Sequence, residues 1–246
     1  MSFQIKSTSE RPVGAVPRAV IALLAAALSL QIALRVMEPA PSARAEALSA
    51  PPTTATLRAL AFGEPIALAA LLTLHLQAFD NQPGISIPFA QLDYGRVGEW
   101  LETILGLDPV NQYPLFMAAQ LYGQVPDLTK QRQMCELVRR QFERDPNRRW
   151  RWLAHCAIMA KHRLRDTKLA LAYAEAIARS ATQAPTWARQ MRIFVLEDMG
   201  ETEAAAILLG GLLASGEVTD PQEIHFLMER LKQLKGAEKS PLPSKN

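Results

Sequence analysis

Residues 145–185, DPNRRWRWLAHCAIMAKHRLRDTKLALAYAEAIARSATQAP, contain one full unit of a repeating fold. Asp145-Pro146 opens the stretch and Ala184-Pro185 closes it. Behind the first proline, Trp152, Leu153, Cys156, Met159 and Ala160 fall on one face at helical spacing. Asp166 then stands where a helix needs an acceptor for its first free N–H groups. Leu169, Tyr173, Ala176 and Ile177 form a second apolar stripe, and the residue before Pro185 is driven out of the helical region. The unit is two helices and a proline stop.

The same punctuation lies on either side. Asp108-Pro109 and Asp220-Pro221 complete a series of four landmarks spaced 36 to 39 residues apart. A period in that range, built from helix pairs, is the mark of an α-helical repeat array. Val97, Trp100, Leu101, Ile104 and Leu105 make the stripe of an earlier unit; Phe194, Leu196 and Met199 make a looser one later. Gly63-Glu64-Pro65 supplies a helix-ending glycine, a cap position and a proline at the first helical residue. Asp127 and Asp220 are further caps, the latter with Glu223 three residues on. The spacing predicts helix pairs at 65–79 with 91–107, 113–122 with 127–144, 149–163 with 166–181, and 186–199 with 201–215. A short helix at 54–62 precedes them, and one at 221–234 closes the series.

Two segments carry a family likeness. His162-Arg163-Leu164-Arg165-Asp166-Thr167-Lys168-Leu169-Ala170-Leu171-Ala172-Tyr173-Ala174 and Met199-Gly200-Glu201-Thr202-Glu203-Ala204-Ala205 resemble the turn into the second helix of a tetratricopeptide repeat (TPR). There a turn residue is followed by alanine, which lets two helices approach; the Asp-Pro pairs resemble the family's repeat ending. The resemblance covers residues 64–234. It implies an all-α, TPR-like superhelix (an α-solenoid) that binds a protein partner, without cofactor, metal or catalytic residues.

Composition agrees with a helical chain and narrows its chemistry. Of 246 residues, 49% are apolar and 7% aromatic, with few β-branched runs. A formal charge of +3 is too small to argue for nucleic acid. Two cysteines exclude a disulfide-rich scaffold and a four-cysteine zinc site. No phosphate loop, nucleophile elbow or paired-carboxylate constellation is present. His155 and His162 share a helix face without a third ligand beside them. A small-molecule substrate is therefore not expected.

The N-terminal region reads differently. Ala19 to Leu34 are sixteen uncharged positions between Arg18 and Arg35, about 24 Å of helix against a hydrocarbon core of about 30 Å. Flanking arginines that snorkel make a span feasible. Ala43-Arg44-Ala45 also has the form of a signal-peptidase site, so the segment is an uncleaved anchor or a cleaved signal. Lys6, Arg11 and Arg18 outnumber Arg35 and Arg44, which favours a cytoplasmic N-terminus. The expected organisation is a cytoplasmic segment at 1–18, an anchor or signal at 19–37, and a Pro/Ala-rich linker at 38–53. The helical-repeat domain would then occupy 54–234 and a disordered tail 235–246. The expected location is single-pass in a bacterial inner membrane with the domain in the periplasm. Ile66 to Phe79 is apolar too, but its length and its His75 and Gln77 fit a core helix better than a second span.

Three places are candidate sites. Arg148, Arg149, Trp150 and Arg151 are placed by the pattern in an exposed turn between helices, inside a basic run from Lys130. Arginine and tryptophan are favoured at protein interfaces, so these four are expected either to meet a partner or to form a solvated face. Asp80, Asn81, Gln82 and Ser86 lie in the longest non-helical stretch of the domain and are suited to hydrogen-bonding a peptide backbone. Cys135 and Cys156 lie on neighbouring stripes at nearly the same height, as a disulfide or as two core thiols.

Overall fold

The computed structural model describes residues 16–37 and 45–238, which include eleven α-helices and one two-stranded hairpin. The first fifteen residues, 38–44 and 239–246 lie outside the described part, and with them most of the expected cytoplasmic segment, the Ala43-Arg44 step and most of the expected tail. The chain divides into two compact units, Met1–Arg44 and Ala45–Asn246.

In the first unit, α1 (Arg18–Met37) has twenty residues, or about 30 Å at 1.5 Å per residue. It buries none of its side chains, and its mean hydropathy of 2.1 makes it long and apolar enough to cross a membrane. The helix outruns the sixteen uncharged positions because Arg18, Arg35 and their neighbours continue it.

The second unit holds the other ten helices. They are α2 (Thr54–Leu60), α3 (Pro65–Ala78), α4 (Tyr94–Leu107), α5 (Tyr113–Phe116), α6 (Leu128–Arg144), α7 (Pro146–His162), α8 (Thr167–Ser180), α9 (Thr186–Asp198), α10 (Thr202–Ser215) and α11 (Pro221–Glu238). The starts follow local chemistry. Asp127, Asp145 and Asp166 each accept a hydrogen bond from the backbone N–H three residues on, at 2.9 to 3.2 Å. Asp220 accepts from Gln222 and Glu223, and Asp93 caps α4 in the same manner. Glu64 holds the cap position of α3 without a side-chain bond; Pro65 does the work there by lacking an N–H. α11 continues to Glu238, so residues 235–238 are helix rather than tail.

In this unit most helices pack on a chain neighbour, and α4 also packs on α6 and α7 on α9. Short connections between packed neighbours require the chain to reverse at each proline landmark. The principal core runs from Leu48 to Val195, and a smaller one joins Ile193, Leu196, Leu209, Leu227 and Leu234. Each fully buried Leu or Ile in it contributes about 1.5–3 kcal/mol. Between alternate helices the contacts become polar: Arg140 to Glu102 at 2.9 Å, Arg132 to Asp166 at 2.8 Å, and the Tyr173 hydroxyl donating to Glu136 at 2.8 Å.

Two segments differ from the sequence reading. The helix expected over 113–122 stops being α-helical at Phe116, passes through a π-helical turn over Met117–Leu121 and ends in a 3-10 turn. Gly123 permits this path: a Cβ there would meet the Ala118 carbonyl at 2.9 Å, closer than a side chain tolerates. The linker expected over 38–53 does not reach 53 as free chain. Residues 45–53 lie on the domain, with Leu48 buried, the Trp100 indole donating to the Ser49 carbonyl at 2.9 Å, and Glu46 bonded to Gln82.

Candidate functional site

The Arg148–Arg151 segment occupies the first turns of α7, not a loop between helices. Helical geometry therefore distributes its side chains around the axis. Arg149 points inward and is 2% exposed. Its guanidinium donates to the Gln141 carbonyl at 2.7 Å, the Gln141 Oε1 at 3.0 Å and the Pro109 carbonyl at 2.7 Å. Burial lowers its pKa against the raising influence of Asp145, yet arginine stays cationic in proteins. The Gln141 carbonyl is among the last four of α6, which have no partner within the helix. Arg149 is thus a structural staple, and its expected place on an exposed partner surface is corrected.

The neighbours divide between packing and surface. Trp152 donates its indole N–H to Gln112 Oε1 at 2.7 Å, while Asn147 Oδ1 accepts from the Gln183 N–H at 2.9 Å. The first turn of α7 therefore grips both the preceding landmark turn and the following one. Arg148 is exposed and pairs with Asp145 at 2.8 Å, which holds that carboxyl below its ordinary pKa. Trp150 is half-buried and meets Trp187 edge to face at 5.5 Å; Arg151 lies over its ring at 5.7 Å. Trp187 itself is 53% exposed. Trp187 was not singled out from sequence, although it stands one repeat after Trp150, just past Pro185.

The 80–88 stretch is a hairpin. Asn81 pairs with Ser86 and Gln82 with Ile85, and Pro83-Gly84 occupy the turn, with Gly84 at φ 77°. Gln82 does hydrogen-bond a peptide backbone, but that of its own chain. It accepts from the Glu46 N–H at 2.8 Å and donates to the Glu46 carbonyl at 3.0 Å. The Asp80 carbonyl accepts from the Ile87 N–H at 2.7 Å.

Cys135 and Cys156 are brought together across the α6–α7 interface as free, fully buried thiols. Burial, then the hydrogen bond with Cys135, pushes the Cys156 thiol well above its usual pKa. His155 sits against Gln120 at 3.0 Å, and burial lowers its pKa. Among the described residues, no three His, Cys, Asp or Glu side chains are grouped to hold a metal ion.

A surface that no motif announced lies on α3. Leu68, Ala69, Thr73 and Leu76 face inward. Ile66, Ala67, Ala70, Leu71, Leu74 and Ala78 fall on the opposite arc and are exposed. Phe62 precedes them at 90% exposure, in a left-handed backbone conformation (φ 47°) that bulky residues avoid. An amphipathic surface helix would carry mostly polar residues on that arc; here Gln77, which donates to the Tyr113 hydroxyl, and exposed His75 at its edge are the polar positions. Its apolar length was visible in sequence and, with His75 and Gln77, there fitted a core helix. Comparison of the chain with protein-family models, with curated proteins and with solved structures gave no match.

Proposed function

We propose that the protein is a membrane-anchored, non-catalytic scaffold or assembly factor. A TPR-like helical array holds a protein partner, and α1 fixes the array to the periplasmic side of a bacterial inner membrane. The succession of helix pairs at the proline landmarks supports the array. The excess of positive charge ahead of α1 supports the orientation.

The observation that carries the reading is the uncovered outer arc of α3, with Ile66, Leu71 and Leu74 beside Phe62. The domain already has a complete core beneath that helix, so the arc is not needed for folding. Contiguous exposed apolar surface on a folded domain marks an interaction site. A partner helix or apolar segment laid on it gains the burial the helix lacks. The Trp150–Trp187 pair with Arg151 is a second, smaller contact.

The test is capture from detergent-solubilised membranes with the anchor intact. Leu71→Glu with Leu74→Glu should leave helix content and thermal midpoint nearly unchanged, since both side chains face solvent. It should abolish capture. Retrieval of the same proteins at the same yield sinks the assignment of this face. Alkaline phosphatase fused after Asn246 should be active in cells; activity only from a cytoplasmic reporter reverses the orientation.

One observation favours a second reading, a soluble exported protein released by signal cleavage. The second unit begins at Ala45, and Glu46 is the first residue whose backbone is bonded to the hairpin. Cleavage after Ala45 would release the packed domain with almost no surplus chain. A mature N-terminus at Glu46, with release by salt wash, selects this reading.

A further inference from the structure

The proline landmarks share one edge of the helical domain, where Arg149 reaches the Pro109 carbonyl and Asn147 holds Gln183. The turns between them share the opposite edge, and side-chain contacts trace it. Gln82 of the hairpin holds Glu46, and Lys130 at the start of α6 donates to the Ala90 and Leu92 carbonyls at 2.5 and 3.2 Å. Arg132 pairs with Asp166 at the start of α8, and Lys161 near the end of α7 pairs with Asp198 at the end of α9. Two acids of this edge are thereby engaged. Arg163, Arg165 and Lys168, in the turn from α7 into α8, are exposed. No ion pair engages any of the three among the described residues.

Arg165 is held there against local preference. The Leu164 and Asp166 N–H groups donate to the Met159 and Ala160 carbonyls at 3.1 and 2.9 Å, which leaves Arg165 between them at φ 53°. Helices that end with a left-handed residue usually carry glycine there, because a Cβ strains that conformation. An arginine keeps a third positive charge beside two others at a conformational cost. Backbone strain that persists at one surface position points to a function for the residue that bears it.

What meets these charges follows from where the chain enters the domain. Glu46 is bonded to the hairpin, so the segment that follows α1 joins at this same edge. From Met37 to Ala45 the fully extended chain spans at most about 29 Å. An anchor in α1 therefore keeps this edge within reach of the bilayer. Leu128, the first residue of α6, stands on the same edge and is 59% exposed. Basic groups beside an exposed leucine suit an anionic bilayer surface, where the charges meet headgroups and the leucine meets acyl chains.

We propose that Arg163, Arg165 and Lys168 dock the helical domain on the anionic phospholipid headgroups of the membrane that holds α1. The inference rests on the anchored part of the reading above. It needs neither the orientation of the anchor nor the partner face on α3.

The experiment uses the full chain in phosphatidylcholine vesicles, with or without one-third phosphatidylglycerol, containing some lipid with a nitroxide on its headgroup. A bimane fluorophore on His162→Cys reports lipid contact at the basic edge, and one on Gln183→Cys reports the landmark edge. Cys135 and Cys156 are buried and stay unlabelled. The nitroxide should quench the His162→Cys label at least threefold more with phosphatidylglycerol than without it, and should spare the Gln183→Cys label. Salt at about 0.5 M should remove the difference. Arg163→Gln and Lys168→Gln should each lower the docked-to-free ratio about fivefold. Arg165→Gly should lower it as much while preserving or raising the thermal midpoint, because it removes charge and strain together. Quenching that ignores phosphatidylglycerol overturns the proposal and leaves the three charges to an acidic protein surface. Equal quenching at both edges, or unchanged quenching in Arg165→Gly, overturns it as well. A chain that fails to float with the vesicles overturns the anchored reading and this proposal with it. A chain that floats with its His162→Cys label unquenched overturns this proposal alone. Should a glutamine variant fail to fold, Arg165→Gly decides.

Discussion

Replacing Arg149 with methionine removes the guanidinium but keeps a long, flexible side chain, so the effect isolates the three hydrogen bonds. Those bonds end on the Pro109 carbonyl and on the Gln141 carbonyl and amide oxygen, at 2.7 to 3.0 Å. A hydrogen bond with a charged partner contributes about 1.5–3 kcal/mol net, and an acceptor left buried without one costs about 1–3 kcal/mol. The three share one donor group, so they do not add in full. The expected cost is about 3–5 kcal/mol, the range for a broken buried charged network. With a urea dependence of about 2 kcal/mol per molar, the unfolding midpoint should fall by roughly 1.5–2.5 M. The assay is urea unfolding of the full chain in detergent, followed by far-ultraviolet circular dichroism. Arg148→Met is the control: its ion pair with Asp145 is exposed and should be worth under about 1 kcal/mol. Arg149→Lys should fall between, because an ammonium cannot reach three acceptors in fork geometry. If Arg149→Met costs no more than Arg148→Met, the staple assignment is wrong. By the same reasoning, changing Arg148, Arg149 and Arg151 to Glu together should unfold the domain rather than merely alter its surface.

Two other outcomes follow from the titrating groups. The Asp166 carboxyl is held below its ordinary pKa by Arg132 first and the Leu169 N–H second, so its contribution is present above the unfolded value of about 3.9 and fades as pH falls through the folded one. Asp166→Asn keeps a cap but loses the ion pair; the wild-type advantage in urea midpoint should be steady from pH 7 to about pH 5 and shrink below about pH 4, and an advantage that widens on acidification contradicts the assignment. Cys135 and Cys156 are fully buried, so iodoacetamide should modify both together, at the rate of unfolding, and label neither in the native state; stoichiometric labelling of the folded chain at neutral pH refutes this packing.

The helix pairs were legible because their signals are local. A proline landmark, an aspartate cap and a stripe at three and four residues can each be read within a dozen positions, and the paired helices follow from them. The π-helical turn after Phe116 was not legible, because it depends on how closely Gly123 approaches Ala118, a distance no spacing rule supplies. The docking of residues 45–53 was hidden for a related reason. Ala-Leu-Ser-Ala-Pro-Pro has linker composition, and what seats it is Trp100, Gln82 and the core around Leu48, which lie far along the chain. Composition measures what a segment can bury alone; it is blind to a groove built elsewhere.

The site readings failed or held on the same principle. Arg148, Arg149, Trp150 and Arg151 were read as one patch, but consecutive residues on a helix point about 100° apart and cannot share a face. Arg149 turned inward because the open carbonyls at the end of α6 and at Pro109 need a cationic fork there; Trp150 and Arg151 were left toward solvent. The α3 arc invites the opposite error. Its apolar residues matched a core helix, and Leu68, Ala69 and Leu76 do face the core, yet one layer of neighbours covers only one side. Only residues 45–53 and the short α2 precede the α3–α4 pair, and they leave the outer arc of α3 exposed. Terminal units of repeat arrays are normally finished with polar residues, and the largely apolar arc of α3 is the ground for the proposed partner face. That is why the partner face is sought on α3 rather than on the basic run that drew attention first.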